Sequence, residues 1–260
     1  MRRARLLPTL LALLGLAACH EQGQTHLARG NVLQNQGKLD LALVEYKAAA
    51  QDDASASTPW LRMGDILYGQ GKKGQALAAY HQATARNPGQ LDAWIGLARI
   101  QSEQGHDAEA RASLDRALAV RPKNLFARLS RAQLALQDGD VKAALEDARI
   151  ASRLEDSSPS VLFVYGSAMA ANKDYSGAEA AFERLESLDA HSPLAPYGRA
   201  RLSLARGDRP GAIAALRQAV ALAPGEKGQL ATDPTLALLR GDPAFDALVG
   251  AAPAAPAHGG

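Results

Sequence analysis

Residues 64–88 read GDILYGQGKKGQALAAYHQATARNP, and the small residues that punctuate this stretch decide the fold. Gly64, Gly71, Ala76, Tyr80, Ala83 and Pro88 are its fixed points. The alanine returns as Ala42, Ala76, Ala110, Ala144, Ala178 and Ala212, always 34 residues apart, with no insertion or deletion. Twelve residues before it stands Gly30, Gly64, Ala98, Ala132, Gly166 or Ala200. Five before it comes Gly37, Gly71, Gly105, Gly139, Lys173 or Gly207. Four after it lies Tyr46, Tyr80, Leu114, Ala148, Phe182 or Leu216, and seven after it Ala49, Ala83, Ala117, Ala151, Leu185 or Ala219. Pro88, Pro122 and Pro224 close three of the units. A chain that repeats at this interval is a stack of helical hairpins.

Each position has a physical reason. Small residues on the first helix and at the recurring alanine let two helix backbones approach closely, and the larger residue four positions on fills the space beside them. The glycine between the helices suits a left-handed cap that ends the first one. Proline at the boundary stops the second helix from running on. One hairpin cannot bury its apolar face alone, so the units must stack.

With Trp60 and Trp94 in a shared slot of the second and third units, residues 23–226 resemble the tetratricopeptide repeat (TPR) family. The resemblance implies an all-α fold: a right-handed α-solenoid of six hairpins over 25–226. It also implies that the first helices line a concave, partner-binding face. Counted in that register, the fifth slot of the units holds Leu27, Leu61, Ile95, Leu129, Phe163 and Tyr197, an apolar stripe. The ninth slot holds Asn31, Asp65, Arg99, Gln133, Ser167 and Arg201, polar residues of mixed sign. These twelve are the candidate groove. TPR co-chaperones that grip acidic C-termini use a clamp of lysine, asparagine and arginine. Asn31 matches its asparagine, but Leu27, Asp92 and Gly96 stand in its basic slots, which argues against that role.

The N-terminus carries an address. Arg2, Arg3 and Arg5 precede an apolar run from Leu6 to Ala18, too short to span a bilayer and of signal-peptide length. Leu16-Ala17-Ala18-Cys19 resembles the lipobox of bacterial lipoproteins, which implies cleavage before Cys19 and lipidation of that residue. The expected layout is a signal peptide at 1–18, a lipidated cysteine and short linker at 19–24, and the first unit from 25. His20 is not the aspartate that resembles an inner-membrane retention signal. The expected site is therefore the periplasmic face of the outer membrane, held by the lipid on Cys19. Cys19 is also the only cysteine, so no intramolecular disulfide can form.

The chain has 29 basic and 27 acidic residues. Without Arg2, Arg3 and Arg5 the balance is 26 to 27, or about −1, and no basic stripe with interleaved aromatics points to nucleic acid. None of His20, His26, His81, His106, His191 and His258 has a partner at metal-ligand spacing on one helix face. No serine sits in a nucleophile elbow. Gly69 to Gly74 is glycine-rich, but it falls at the turn between two repeat helices. The reading is therefore no enzyme, no cofactor and no metal.

Two departures from the repeat stand out. The fourth unit has Ala148 where others carry a large residue, and Arg128 and Arg131 in slots that are often apolar, so it is expected to be underpacked. Beyond the sixth unit, Gly225 to Thr232 reads as a loop. Asp233-Pro234 and Asp242-Pro243 read as starts of two short helices within a 227–249 cap, in which Leu236, Leu239, Phe245 and Leu248 cover the last hairpin. Residues 250–260 read as a disordered tail.

These features together describe a lipid-anchored scaffold or chaperone that binds periplasmic or outer-membrane proteins. By layout it resembles the assembly lipoproteins of pili and secretion systems. An adaptor for peptidoglycan enzymes and a scaffold for exopolysaccharide export stay open as alternatives, with a hydrolase of unrecognised site behind them.

Overall fold

A computed structural model describes residues 7–250, with side chains from residue 21 onward. The residues read as the start of the signal segment, the side chain of Cys19 and the tail from 251 lie outside what is described. Among the described residues every regular element is a helix. No helix there is long and apolar enough to cross a membrane.

Two compact units divide the chain, residues 1–127 and 128–260. The first contains α1 (Leu7–Asn35), α2 (Leu39–Asp52), α3 (Thr58–Gly69), α4 (Lys73–Arg86), α5 (Leu91–Glu103) and α6 (Asp107–Val120). They pair as α1–α2, α3–α4 and α5–α6 hairpins. The second contains most of α7 (Leu125–Gln137), then α8 (Val141–Leu154), α9 (Pro159–Ala171), α10 (Tyr175–Leu188), α11 (Leu194–Ala205) and α12 (Arg209–Leu222). Each first helix that precedes a predicted glycine stops there, because Gly37, Gly71, Gly105, Gly139 and Gly207 all adopt positive φ. Lys173 takes the same left-handed conformation, at φ 64°, without a glycine's freedom.

Packing follows the repeat register. Every recurring alanine from Ala42 to Ala212 is fully buried. Tyr80 fits only because two glycines flank it: a Cβ on Gly64 or Gly96 would stand 2.6 or 2.5 Å from its ring. Phe182 sits likewise between Gly166 and Gly198 in the second unit.

The gap expected beside Ala148 in the fourth hairpin is filled. Ala148 is fully buried in one cluster with Ala132, Ala144 and Val164. Val164 occupies the register position that glycine holds at Gly96 and Gly198, so the bulk missing from α8 comes from α9. The two arginines are also accounted for. Arg128 Nη1 donates to the buried Asp147 carboxylate at 2.5 Å, and Arg131 donates to the same group at 2.6 and 2.9 Å.

Two segment readings are corrected. Residues 20–24, expected as a short linker, are part of α1, in which Gly23 is buried beside Ala49 and Asp53 at the end of α2. The segment Leu16 to Gln22 has no proline and is rich in Ala, Leu, Glu and Gln, so helix is its local preference. The residues read as a loop before the cap form a 3-10 turn at Pro224–Glu226 and then α13 (Lys227–Thr232). The cap otherwise follows its expected chemistry. Asp233 caps a 3-10 helix at Pro234–Leu239, and Asp242 caps α14 (Pro243–Val249). Leu236, Leu239 and Phe245 are buried against Ala212, Ile213 and Leu216 of α12, with Leu248 packed beside them. Gly250, read as the first residue of the tail, is the left-handed C-cap of α14.

Candidate functional site

In the first unit the candidate residues divide by the tyrosines behind them. Tyr46 Oη lies 2.8 Å from Asn31 Oδ1 and 2.6 Å from Gln34 Oε1, two acceptors that share its one proton. Tyr80 Oη donates to Asp65 Oδ1 at 3.0 Å. A buried phenol needs an acceptor, and in these two hairpins the ninth slot supplies it. Burial pushes the Asp65 carboxyl up, against the opposing pull of the Tyr80 hydrogen bond and of Arg62. Burial likewise raises the Tyr80 phenol. Asn31 and Asp65 therefore have a structural duty. Leu61 belongs to the core with Tyr80 and Leu97 and does not line an open face. Leu27 is half-buried against Tyr46 and Ala42, and Ile95 is half-buried on α5.

The third hairpin has Leu114 in the tyrosine's slot, so its ninth residue is released from that duty. Arg99 is exposed, and its guanidinium lies 5.4 Å from the ring centroids of both Tyr68 and Phe126. Such cation–π contacts hold the group without neutralising it. Beside it, Tyr68 Oη donates to Glu103, and Lys73 Nζ sits 2.8 Å from Glu103 Oε2. The Lys73 hydrogen bond, with that of Tyr68, holds the Glu103 carboxyl below its usual range, and the bond to Glu103 raises Tyr68. Tyr68, Lys73, Glu103 and Phe126 are absent from the candidates read off the sequence. They lie outside the fifth and ninth slots, and only the packing brings them to Arg99.

In the second unit Leu129 is half-buried in the Ala148 cluster and Gln133 is exposed. Phe163 stacks on Tyr197 with centroids 5.7 Å apart and meets Phe182 at 6.3 Å, so it is a packing residue as well as a surface one. Arg201 lies over this pair, 6.0 Å from Phe163 and 5.9 Å from Tyr197. Tyr197 Oη donates to Asp233 of the cap and is 3.2 Å from the Thr235 hydroxyl. Burial, and then the Asp233 bond, raise this phenol. Ser167 is buried rather than solvated, a departure from the stripe expected.

Among the described residues no group of three His, Cys, Asp or Glu side chains is placed to hold a metal ion. What the faces offer is aromatic rings with arginine guanidinium groups held over them, which is the chemistry of non-covalent contact.

Models of the tetratricopeptide repeat match residues 67–134, 129–193 and 166–227, together more than half of the chain. Neither model describes an enzyme. No curated protein matches the chain at a significant level. Among solved structures it is similar to a tetratricopeptide repeat protein from Parabacteroides merdae, at 19% identity over 89% of this chain and 98% of that one, TM-score 0.65. It is similar to PilF of Pseudomonas aeruginosa, at 18% identity over 80% and 95%, TM-score 0.61. It is also similar to YrrB, a TPR protein with an unusual peptide-binding site, at 18% identity over 69% and 93%, TM-score 0.59. At these identities the likeness speaks to the fold. By its repeat register, its hairpins and the family models that match them, this chain belongs to the tetratricopeptide repeat family.

Proposed function

We propose that this chain is a lipid-anchored scaffold at the periplasmic face of the outer membrane that holds protein partners while an envelope complex, such as a pilus or secretion pore, is assembled. As a TPR protein it is a scaffold for protein–protein contact, and repeat stacks of this kind bind through extended surfaces. The observation that carries the reading is the state of Arg99 and Arg201. Each is held over two rings, in a hairpin whose ninth slot has no tyrosine to satisfy. Arginine on aromatic support is a common anchor of protein interfaces. The anchoring step rests on Leu16-Ala17-Ala18-Cys19, and the pilus step on layout, with PilF sharing the fold.

Two experiments address the two halves. Metabolic labelling with a clickable fatty acid should mark the wild type and not Cys19→Ser, and equal labelling would remove the anchor. Crosslinked capture from cells should recover a partner with the wild type. The double variant Arg99→Glu with Arg201→Glu should recover at least tenfold less while keeping its helicity. Undiminished recovery would remove the first-helix faces as the site.

A further inference from the structure

Ser167 is the one ninth-slot residue that is buried, at 7% exposure, and its Oγ has no hydrogen-bond partner. A buried hydroxyl left unsatisfied costs about 1–3 kcal/mol. In the first two hairpins the ninth-slot side chain accepts from a tyrosine, but here Phe182 stands in that slot and has no hydroxyl to give. Ser167 instead lines a cleft of about 270 Å³ with Arg201, Phe182, Leu204, Thr235 and Leu238, all within the second unit. Arg201 is half-buried and lies over two rings, and among the described residues it forms no ion pair with a carboxylate. Asp233 of the cap is already engaged, accepting from Tyr197 Oη and from the Thr235 hydroxyl and amide. On the rim, Leu238 is 63% exposed, far more than the other cap leucines. The cleft thus joins a cation without a counter-ion, an idle hydroxyl donor and an apolar rim.

On the reading that first-helix faces bind partners, we propose that this cleft takes a carboxylate from an extended segment of a partner protein, with an apolar side chain of the same segment against Leu204 and Leu238. One carboxylate oxygen accepts from the Arg201 guanidinium and the other from the Ser167 hydroxyl once its χ1 turns it from its closed position toward the cleft, so both groups gain the partner they lack. Charge-assisted bonds of this kind are stronger than neutral ones. An ammonium would be repelled by Arg201. A phosphate would find a single cation, whereas phosphate recognition draws on clusters of them. The volume lies just below the range usual for small-molecule pockets, roughly 300–1,000 Å³, which suits one or two residues of a passing chain. The cleft lies where the fifth and sixth hairpins meet the cap, apart from the lysine and arginine slots of the co-chaperone clamp, which this chain does not fill.

The test is selection of displayed random dodecapeptides on the full chain, in one library with free C-termini and one with internal display. The wild type should enrich sequences with Asp or Glu, or a free C-terminal carboxylate, next to Leu, Ile or Val. Synthetic peptides then separate the two sources of carboxylate, one amidated with an internal Asp and one with a free terminus and Asn in that place. Arg201→Met keeps the stem that packs on the rings and removes the charge, so it should weaken the best peptide at least tenfold and abolish the Asp-over-Asn preference. Ser167→Ala should weaken the same peptide several-fold without unfolding, since it removes an unsatisfied group. Enrichment of neutral or basic sequences, no enrichment at all, or an acidic preference unchanged in Arg201→Met would overturn the proposal. If Arg201→Met has no effect while Arg99→Glu still abolishes crosslinked capture, the cleft fails and the scaffold reading stands. If wild type captures nothing and enriches nothing, both fail.

Discussion

The two compact units build the same hairpin but start its second helix differently. In the first unit α2, α4 and α6 begin after Lys38, Lys72 and His106, none of which caps the helix with its side chain. In the second unit α8, α10 and α12 begin after Asp140, Asp174 and Asp208, whose carboxylates accept from the amides of Ala143, Gly177 and Gly211 at 3.1, 3.0 and 2.9 Å. An N-cap carboxylate stabilises a helix through that bond and through the helix dipole, whereas a lysine there opposes the dipole. Yet both units turn their chains at the same places. The turn is therefore set by the left-handed residue one position earlier and by the packing that follows, and the cap adds stability to a geometry already fixed.

The largest effect expected from this comparison is at Asp147. It is the buried acceptor of Arg128 and Arg131, and the first unit buries no acid in that register position: Glu45, which occupies it in the first hairpin, meets His26 at 2.5 Å near the surface. Removing one partner from a buried ion network costs about 3–5 kcal/mol. Asp147→Ala should lower the midpoint of urea unfolding by that much, and a loss under 1 kcal/mol would show that the arginines find water instead. Next comes Ala148→Leu. Because Val164 already fills the space, the larger side chain should destabilise by about 1–3 kcal/mol. A raised melting temperature would mean that the hairpin interface is underpacked after all.

Smaller effects should run the other way. Lys72→Asp transplants the second unit's cap into the first and should stabilise by about 0.5–2 kcal/mol, seen as a higher melting temperature. No gain would show that another group already serves those amides. Lys173→Gly removes the only non-glycine residue with positive φ among the described residues and should stabilise by up to about 1 kcal/mol.

The all-α class, the six hairpins, the glycine turns and the aspartate-capped cap segment were legible because each depends on residue type at a fixed interval. Ala42 through Ala212 mark the same buried spot in every unit. The candidate site was only half legible. Register gives the face of a helix but not what lies behind it, so Leu61 reads as groove and is core. Asn31 and Asp65 read as free polar groups and are acceptors for Tyr46 and Tyr80. A signal for that was present: the two hairpins with tyrosine four residues after the alanine are the two with Asn or Asp in the ninth slot. The complement of Ala148 by Val164 was harder to see, since it joins two successive hairpins through a pattern that has meaning only once the helices are packed. Asn172-Lys173 gave no warning of a left-handed lysine beyond its place in the register.

Site-specific photocrosslinking tests the central claim, that partners bind on the first helices of the hairpins. A photoreactive phenylalanine analogue would replace Phe126 or Gln133 at exposed sites of α7, and Ala78 or Ala180 at exposed sites of α4 and α10. The account predicts a discrete crosslinked partner from the α7 positions and none from the second-helix positions. Adducts from Ala78 or Ala180, with none from Phe126 or Gln133, would contradict it.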